Sequence, residues 1–121
     1  ESKLYVANTR PDPKLLVYDL APDGTASGEA GFSEIPFNSE GQSGGVPDGL
    51  KVDIEGRIYC TGPGGLWIWE SNGDHVGVVE LPEFPANLNW GGLDNQTIFL
   101  TCRTSVYSMR ATTPGVAIPL R

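Results

Sequence analysis

The chain has 121 residues, which suits one domain with a modest hydrophobic core. It carries 15 acidic and 8 basic residues, giving a net charge of −7 at pH 7. This balance excludes a nucleic-acid surface, which needs a basic face, and disfavours binding to an anionic membrane. No apolar run approaches the roughly 20 residues that a membrane-spanning helix requires.

Short runs of leucine, β-branched and aromatic residues follow one another along the chain, separated by 16 glycines and 10 prolines. This punctuation excludes long helices and favours short strands. The predicted strands cover residues 4–7, 15–18, 50–53, 57–60, 66–69, 76–79, 87–90, 97–100 and 106–109. Gly and Asn in the turns accept positive φ, so we expect antiparallel meanders, with residues 41–47 forming a longer connection between two of them.

The strands repeat with an offset of 40 residues. Residues 58–61 (Ile-Tyr-Cys-Thr) align with residues 98–101 (Ile-Phe-Leu-Thr), and residues 65–69 align with residues 105–109. A weaker third copy lies at the start of the chain. A period of this length with several strands per unit is typical of β-propeller blades. The chain is thus predicted to hold about two and a half blades, an incomplete one over residues 1–40 and two more over residues 41–82 and 83–121.

Two and a half blades cannot close a ring, and an open stack exposes apolar faces and strand edges. We therefore expect the missing blades to come from the same longer chain or from further copies in a homo-oligomer. The first residues lack the basic start and apolar stretch of a signal peptide, and a strand begins almost at once. We interpret residues 1–121 as part of a larger propeller.

Two motifs are more specific than the strand pattern. Residues 47–50 read Pro-Asp-Gly-Leu, and residues 61–65 read Thr-Gly-Pro-Gly-Gly. With these motifs, the chain resembles the senescence-marker, gluconolactonase and luciferin-regenerating family over nearly its whole length, bacterial gluconolactonases in particular. The resemblance implies an all-β fold, with this chain as the C-terminal part of a six-bladed propeller built from antiparallel four-stranded meanders.

The resemblance also implies a function, a metal-dependent lactone hydrolase that opens a sugar lactone to the aldonic acid. Asp48 matches one of the family's cation ligands, which is also proposed to be the catalytic base. The implied cofactor is a divalent cation, Ca²⁺ first, with Mg²⁺, Mn²⁺ and Zn²⁺ as alternatives. Such a cation polarises the carbonyl, and a carboxylate accepts the proton of the attacking water. The family's Asn and Glu ligands would precede residue 1, so we expect the isolated chain to be inactive.

Each candidate residue has a plainer alternative. For Asp48 the alternative is an ordinary Pro-Asp-Gly turn. Asn87 is a candidate for substrate binding, with hydrogen bonding at a strand edge as its alternative, and the same holds for Asn89. We interpret Asp53 as a surface or turn carboxylate and His75 as a solvated side chain.

The remaining polar and aromatic features are interpreted as structural. Trp67 and Trp69 share one strand face, and we expect them to pack between blades rather than stack on a sugar. Cys60 and Cys102 lie in apolar strand patterns and are predicted to be buried thiols, with a disulfide as the alternative.

A second hypothesis is a non-catalytic propeller fragment that serves as an assembly or binding module, because one carboxylate is too few for a selective cation site. The expected partner is a small sugar lactone, with neither nucleic acid nor membrane. By its similarity to exported bacterial proteins we expect the protein in the periplasm or outside the cell, with the cytoplasm as the alternative.

Overall fold

The computed structural model describes residues 2–34 and 45–117, and these two ranges contain ten β-strands and no helix. None of the described residues therefore belongs to a helix that could cross a membrane. The strands are β1 (Ser2–Asn8), β2 (Lys14–Leu20), β3 (Ala26–Glu34), β4 (Leu50–Val52), β5 (Ile58–Gly62), β6 (Gly65–Trp69), β7 (His75–Glu80), β8 (Pro85–Gly91), β9 (Thr97–Cys102) and β10 (Val106–Arg110).

The described strands form three antiparallel sheets, each ordered as in the sequence. The first sheet is β1-β2-β3, the middle sheet is β4-β5-β6-β7, and the last sheet is β8-β9-β10. Each sheet is a meander, and the all-β prediction is confirmed. The four strands expected per meander are present in the middle sheet, while the described residues supply three to each of the others. The predicted connection over residues 41–47 lies mostly outside the described residues.

Two apolar clusters hold the three sheets together. Between the middle and last sheets lie the buried side chains of Tyr59, Leu66, Leu88, Trp90, Ile98 and Leu100. Between the first and middle sheets lie those of Leu15, Ile58, Cys60 and Trp69. Burial of each large side chain stabilises the fold by about 1.5–3 kcal/mol. The middle sheet therefore has apolar partners on both of its faces.

The two faces of the middle sheet explain its sequence pattern. All five residues of β5 are buried, because neighbouring sheets cover both sides of this strand. In β9 the burial alternates instead, with Ile98 and Leu100 inside and Phe99 44% exposed. The Tyr59 and Trp90 rings meet edge to face across the sheet boundary, with centroids 4.8 Å apart. Edge-to-face contacts of this kind add to the gain from burial alone.

Asp53 lies in a turn, as the sequence indicated, but the expectation of a surface position is wrong because the side chain is only 1% exposed. Its Oδ1 accepts hydrogen bonds from the backbone N–H groups of Glu55 (2.9 Å) and Arg57 (3.0 Å). Its Oδ2 accepts one from the Tyr59 hydroxyl (3.0 Å) and one from Arg57 Nη1 (3.4 Å). Burial, together with this hydrogen bond, raises the pKa of Tyr59 to about 12.

The chain after β10 covers the Asp53 turn. Arg57 Nη1 donates to Thr113 Oγ1 (3.0 Å), and the backbone N–H of Ile54 donates to the carbonyl of Pro114 (3.1 Å). Gly115 forms an isolated antiparallel bridge with Asp53 and packs against the Trp90 ring, where a Cβ atom would lie 2.4 Å from Cδ2. This segment links the last sheet to the middle one.

The two cysteines are free, so the disulfide alternative is excluded. Cys60 is fully buried, and burial raises the pKa of its thiol to about 12. Cys102 is half-buried. Trp67 and Trp69 stack with centroids 6.0 Å apart and contribute to the cluster between the first and middle sheets, which confirms the packing interpretation. His75 is exposed, as expected, and its ring stacks on Trp67 at 5.1 Å.

Candidate functional site

The backbone around Asp48 is held by two neighbouring strands. Its N–H donates to the carbonyl of Thr61 (3.2 Å), and the N–H of Thr61 donates back to the carbonyl of Gly49 (2.9 Å). The N–H of Gly49 donates to both Ala86 O (3.0 Å) and Thr61 Oγ1 (2.9 Å). Pro47 and Gly49 are buried, whereas Asp48 is exposed. The sequence thus places a carboxylate on a fixed backbone with its side chain open to solvent.

The Pro-Asp-Gly run does not form a tight turn. Gly49 is absent from the residues with positive φ, and the hydrogen bonds of the run reach distant strands instead of closing a local loop. Glycine is required at position 49 by a close approach: an added Cβ would lie 2.4 Å from Asn87 Oδ1 and 2.6 Å from Asn87 Cα. The missing side chain lets the start of β4 pack directly on β8. Asp48 and Asn87, both singled out from the sequence, are therefore brought close to each other.

Asn87 is exposed on β8, and its Oδ1 accepts a hydrogen bond from the N–H of Leu88 (2.9 Å). Asn89 does the same with the N–H of Trp90 (3.0 Å). The hydrogen bonding at the strand that we considered as an alternative is thus observed for both. In each case the bond occupies the amide oxygen and leaves the NH₂ group without a described partner. A role for Asn87 in binding substrate stays a prediction.

A pocket of about 470 Å³ opens beside Asp48. Its lining comes from four places: the loop between β1 and β2, the segment before β4, the start of β8 with the residue before it, and the turn between β9 and β10. We call these four segments the rim. Arg10, Phe84 and Arg103 line the pocket together with Asp48. The Thr9 hydroxyl donates to the carbonyl of Pro47 (2.8 Å) and thereby joins two of the rim segments.

The sequence reasoning missed Arg10 and Arg103. A signal was available, because Arg103 directly follows β9 and Arg10 lies shortly after β1, the strands that the repeat makes equivalent. Equivalent strands of stacked meanders end at the same side, so residues that follow them meet at one rim. The repeat predicted the fold, but the charged residues that follow its equivalent strands were not compared with one another.

The donor set near Asp48 is too small for a cation site by itself. Within residues 2–34 and 45–117 no group of three or more His, Cys, Asp and Glu side chains could hold a metal. Hard divalent cations take about six to eight oxygen ligands, and the rim offers one carboxylate with one amide nearby. Asp48 is suitable as one ligand, since no described side chain hydrogen-bonds to its carboxylate, but these residues alone do not form the site.

The family model for the SMP-30/Gluconolactonase/LRE-like region matches residues 1–104. The chain belongs to this family. It is 31% identical over 120 residues to a gluconolactonase of Zymomonas mobilis subsp. mobilis (strain ATCC 31821 / ZM4 / CP4), a match that covers 95% of this chain and 33% of that protein. The chain thus spans about a third of the length of this curated relative.

Two solved structures share this fold. A gluconolactonase from Xanthomonas campestris superimposes with a TM-score of 0.74 at 22% identity, covering 94% of this chain and 34% of that one. A luciferin-regenerating enzyme superimposes with a TM-score of 0.78 at 16% identity, covering 95% and 43%. The three meanders are thus part of a β-propeller, as the repeat predicted.

Proposed function

We propose that the complete protein hydrolyses the ester bond of a sugar lactone and that this chain supplies Asp48 to the active site. One observation carries the proposal, in a chain of the gluconolactonase family. The exposed carboxylate of Asp48 lines a pocket of about 470 Å³, and the backbone at this residue and the next is hydrogen-bonded to two strands, β5 and β8. Fixed backbone and accessible oxygens are what a catalytic base requires, because proton transfer needs short, reproducible geometry.

In this reaction water adds to the lactone carbonyl, and the bond between that carbon and the ring oxygen breaks. The Asp48 carboxylate accepts a proton from the water and returns it to the departing ring oxygen, which becomes a hydroxyl. The product is an open-chain aldonic acid that ionises at neutral pH. No described side chain hydrogen-bonds to the carboxylate, so its lone pairs remain available for the incoming proton.

We further propose that the reaction depends on a divalent cation, Ca²⁺ first, with Mg²⁺, Mn²⁺ and Zn²⁺ as alternatives. Asp48 would be one ligand, and the others would come from outside the described residues. When bound, such a cation polarises the carbonyl that the water attacks. Asn87 would orient the substrate: its Oδ1 is held by the N–H of Leu88, so its NH₂ group can donate to a sugar hydroxyl.

A second candidate is a non-catalytic assembly or binding module. It is favoured by the lack of a metal-binding group of three or more side chains in the described part of the chain. It is also favoured by apolar side chains on the last sheet that lack cover, since Val106 is 67% and Phe99 44% exposed. Further blades of a longer chain, or copies of this one, would cover them. Both candidates require partners for the last sheet, but only the first requires turnover.

Hydrolysis of glucono-δ-lactone, followed by acid release in a pH-stat, separates the two candidates. The complete protein and the 121-residue chain are assayed side by side, with Ca²⁺ and with EDTA, and their masses are measured by light scattering. We expect Ca²⁺-dependent turnover by the complete protein and none by the isolated chain. Turnover that survives EDTA would remove the cation from the proposal, and no turnover by the complete protein would favour the assembly module.

A further inference from the structure

The described residues include four arginines, which fall into two groups. Arg57 pairs with Asp53, Glu55 and Glu70, and Arg110 pairs with Asp94. Arg10 and Arg103 form no ion pair with any carboxylate of the described ranges, and both line the pocket beside Asp48. Acidic residues outnumber basic ones by 15 to 8, so carboxylate partners are plentiful elsewhere on the chain. The two arginines without such a partner are therefore concentrated at one place.

Arg103 is positioned by its neighbours. Its Cζ atom lies 4.5 Å from the centroid of the Phe84 ring, a cation–π contact that keeps the guanidinium edges free. The carboxylate of Glu83 accepts hydrogen bonds from the N–H of Thr104 (3.0 Å) and the hydroxyl of Ser105 (3.2 Å), and so fixes the turn that carries Arg103. The Thr104 hydroxyl also donates to this carboxylate (2.5 Å). That bond first, then the bond from the Thr104 N–H, lowers the pKa of Glu83, so it stays charged over the physiological range.

Arg10 lies on a loop that is fixed in a similar way. The Asn8 side-chain amide donates to the carbonyl of Asp12 (2.7 Å) and closes the loop. The Thr9 hydroxyl donates to the carbonyl of Pro47, next to the proposed base. Both arginines are thus attached to ordered segments of the rim, while their own side chains are exposed.

A guanidinium group binds carboxylate and phosphate oxygens through two parallel N–H donors, and it remains charged at any physiological pH. We propose that Arg10 and Arg103 form an oxyanion-binding subsite next to Asp48, which accepts a carboxylate or phosphate group carried by the sugar lactone. This rests on the proposed function and names its substrate class as an anionic lactone. The two cations also offset the repulsion that a chain of charge −7 exerts on such a substrate.

The anionic group has two sources, a substituent on the lactone or the carboxylate that ring opening creates. In the first arm of the test, the complete protein hydrolyses glucono-δ-lactone and its 6-phosphate. We expect a higher kcat/KM for the phosphorylated lactone, and we expect Arg103→Gln to lower this preference about 10- to 100-fold, the usual effect of losing a charged hydrogen bond. In the second arm, gluconate is tested as an inhibitor. If its inhibition weakens in the variant while the preference does not change, the source is the product carboxylate.

The matched control is Arg110→Gln, which removes an exposed arginine that is paired with Asp94 outside the pocket. It should leave the preference between the two lactones and the gluconate inhibition as in the wild type. Arg10→Gln is the second variant and should act in the same direction as Arg103→Gln. If neither pocket variant changes the preference or the inhibition, the subsite proposal is wrong even though lactone hydrolysis stands.

Failure of the proposed function has a different signature, since then the wild type hydrolyses neither lactone. In that case we test the subsite by measuring the binding of glucose 6-phosphate and of glucose by calorimetry. Binding of the phosphorylated sugar that weakens about 10-fold or more in Arg103→Gln supports an oxyanion subsite without lactonase activity. Equal binding of the two sugars, or equal binding by wild type and variant, overturns it.

Discussion

Asp48 and Asp53 stand at opposite ends of the short strand β4, and their surroundings differ in almost every respect. Asp53 is 1% exposed, and its two oxygens accept hydrogen bonds from the turn that follows it and from Tyr59 on β5. Asp48 is exposed, and its carboxylate has no hydrogen-bond donor among the described residues. A satisfied, buried carboxylate has no capacity left for a ligand, so the comparison assigns Asp53 to stability and leaves Asp48 as the carboxylate that is open to a ligand.

The largest expected effect is a loss of activity at the Asp48 end of β4. Asp48→Asn in the complete protein removes the proposed base but keeps the shape of the side chain, and we expect kcat for glucono-δ-lactone to fall at least about 100-fold. The free energy of unfolding should change by less than about 0.5 kcal/mol, because the side chain is exposed. Asp19→Asn, at an exposed position outside the pocket, is the control and should keep full activity. Full activity in Asp48→Asn would contradict the assignment of the base.

At the Asp53 end of β4, removal of the carboxylate should reduce stability instead. Asp53→Ala removes the acceptor shared by two backbone N–H groups, the Tyr59 hydroxyl and Arg57, so we expect unfolding in urea to become easier by about 3 kcal/mol. The activity of the molecules that remain folded should be retained. Asp19→Ala at the exposed Lys3 pair should cause no measurable loss, as is usual for surface ion pairs. A loss at Asp53 below about 1 kcal/mol would mean that the buried network is not stabilising.

These two residues also show what the sequence can and cannot reveal. Asp48 was singled out because its motif is local, four consecutive residues at positions 47–50, and its role stays a prediction. The burial of Asp53 was missed because the residues that cover it, around positions 113–115, lie about sixty residues further along the chain. A local pattern gave the turn correctly, but it contains no information on which distant segment covers that turn.

The strands show the same limit. Runs with clear apolar character were found within one or two residues of their observed positions, as with β9 (Thr97–Cys102). The nine residues of β3 (Ala26–Glu34) were not predicted, because Ala, Ser, Gly and Glu dominate them and Phe32 is their one large apolar side chain. This strand forms through its pairing with β2, with register shifts on the way. Tertiary contacts override a weak local preference there.

A smaller effect is expected at Gly49, which connects the backbone of Asp48 to Asn87. A methyl group at this position would lie 2.4 Å from Asn87 Oδ1 and 2.6 Å from Asn87 Cα, so β4 and β8 must separate. We expect Gly49→Ala to cost about 2 kcal/mol of stability by overpacking. Activity should fall about 10-fold, because displacing a catalytic group impairs the reaction.

The control for this change is Gly31→Ala, where a Cβ atom would meet nothing within 4 Å and φ is not positive. It should change stability by less than about 0.5 kcal/mol and leave activity as in the wild type. If Gly49→Ala were equally harmless, the close approach of β4 and β8 would not be what positions Asp48.

The smallest expected effect concerns Tyr59, whose hydroxyl donates to Asp53. Tyr59→Phe removes one donor to Asp53 Oδ2, so at pH 8 we expect a loss of about 1 kcal/mol in the free energy of unfolding.

The pKa of Tyr59 is raised from 10.0 to about 12 by burial and by its bond to Asp53, so folding favours the neutral phenol. That contribution is fully present below pH 10 and is lost as the pH rises toward 12. The stability advantage of the wild type over Tyr59→Phe, measured by urea unfolding at several pH values, should therefore shrink between pH 10 and 12. A difference that stays constant up to pH 12 would mean that the phenol ionises equally easily in the folded and unfolded chains, and that the Asp53 end of β4 is more open than its hydrogen bonds indicate.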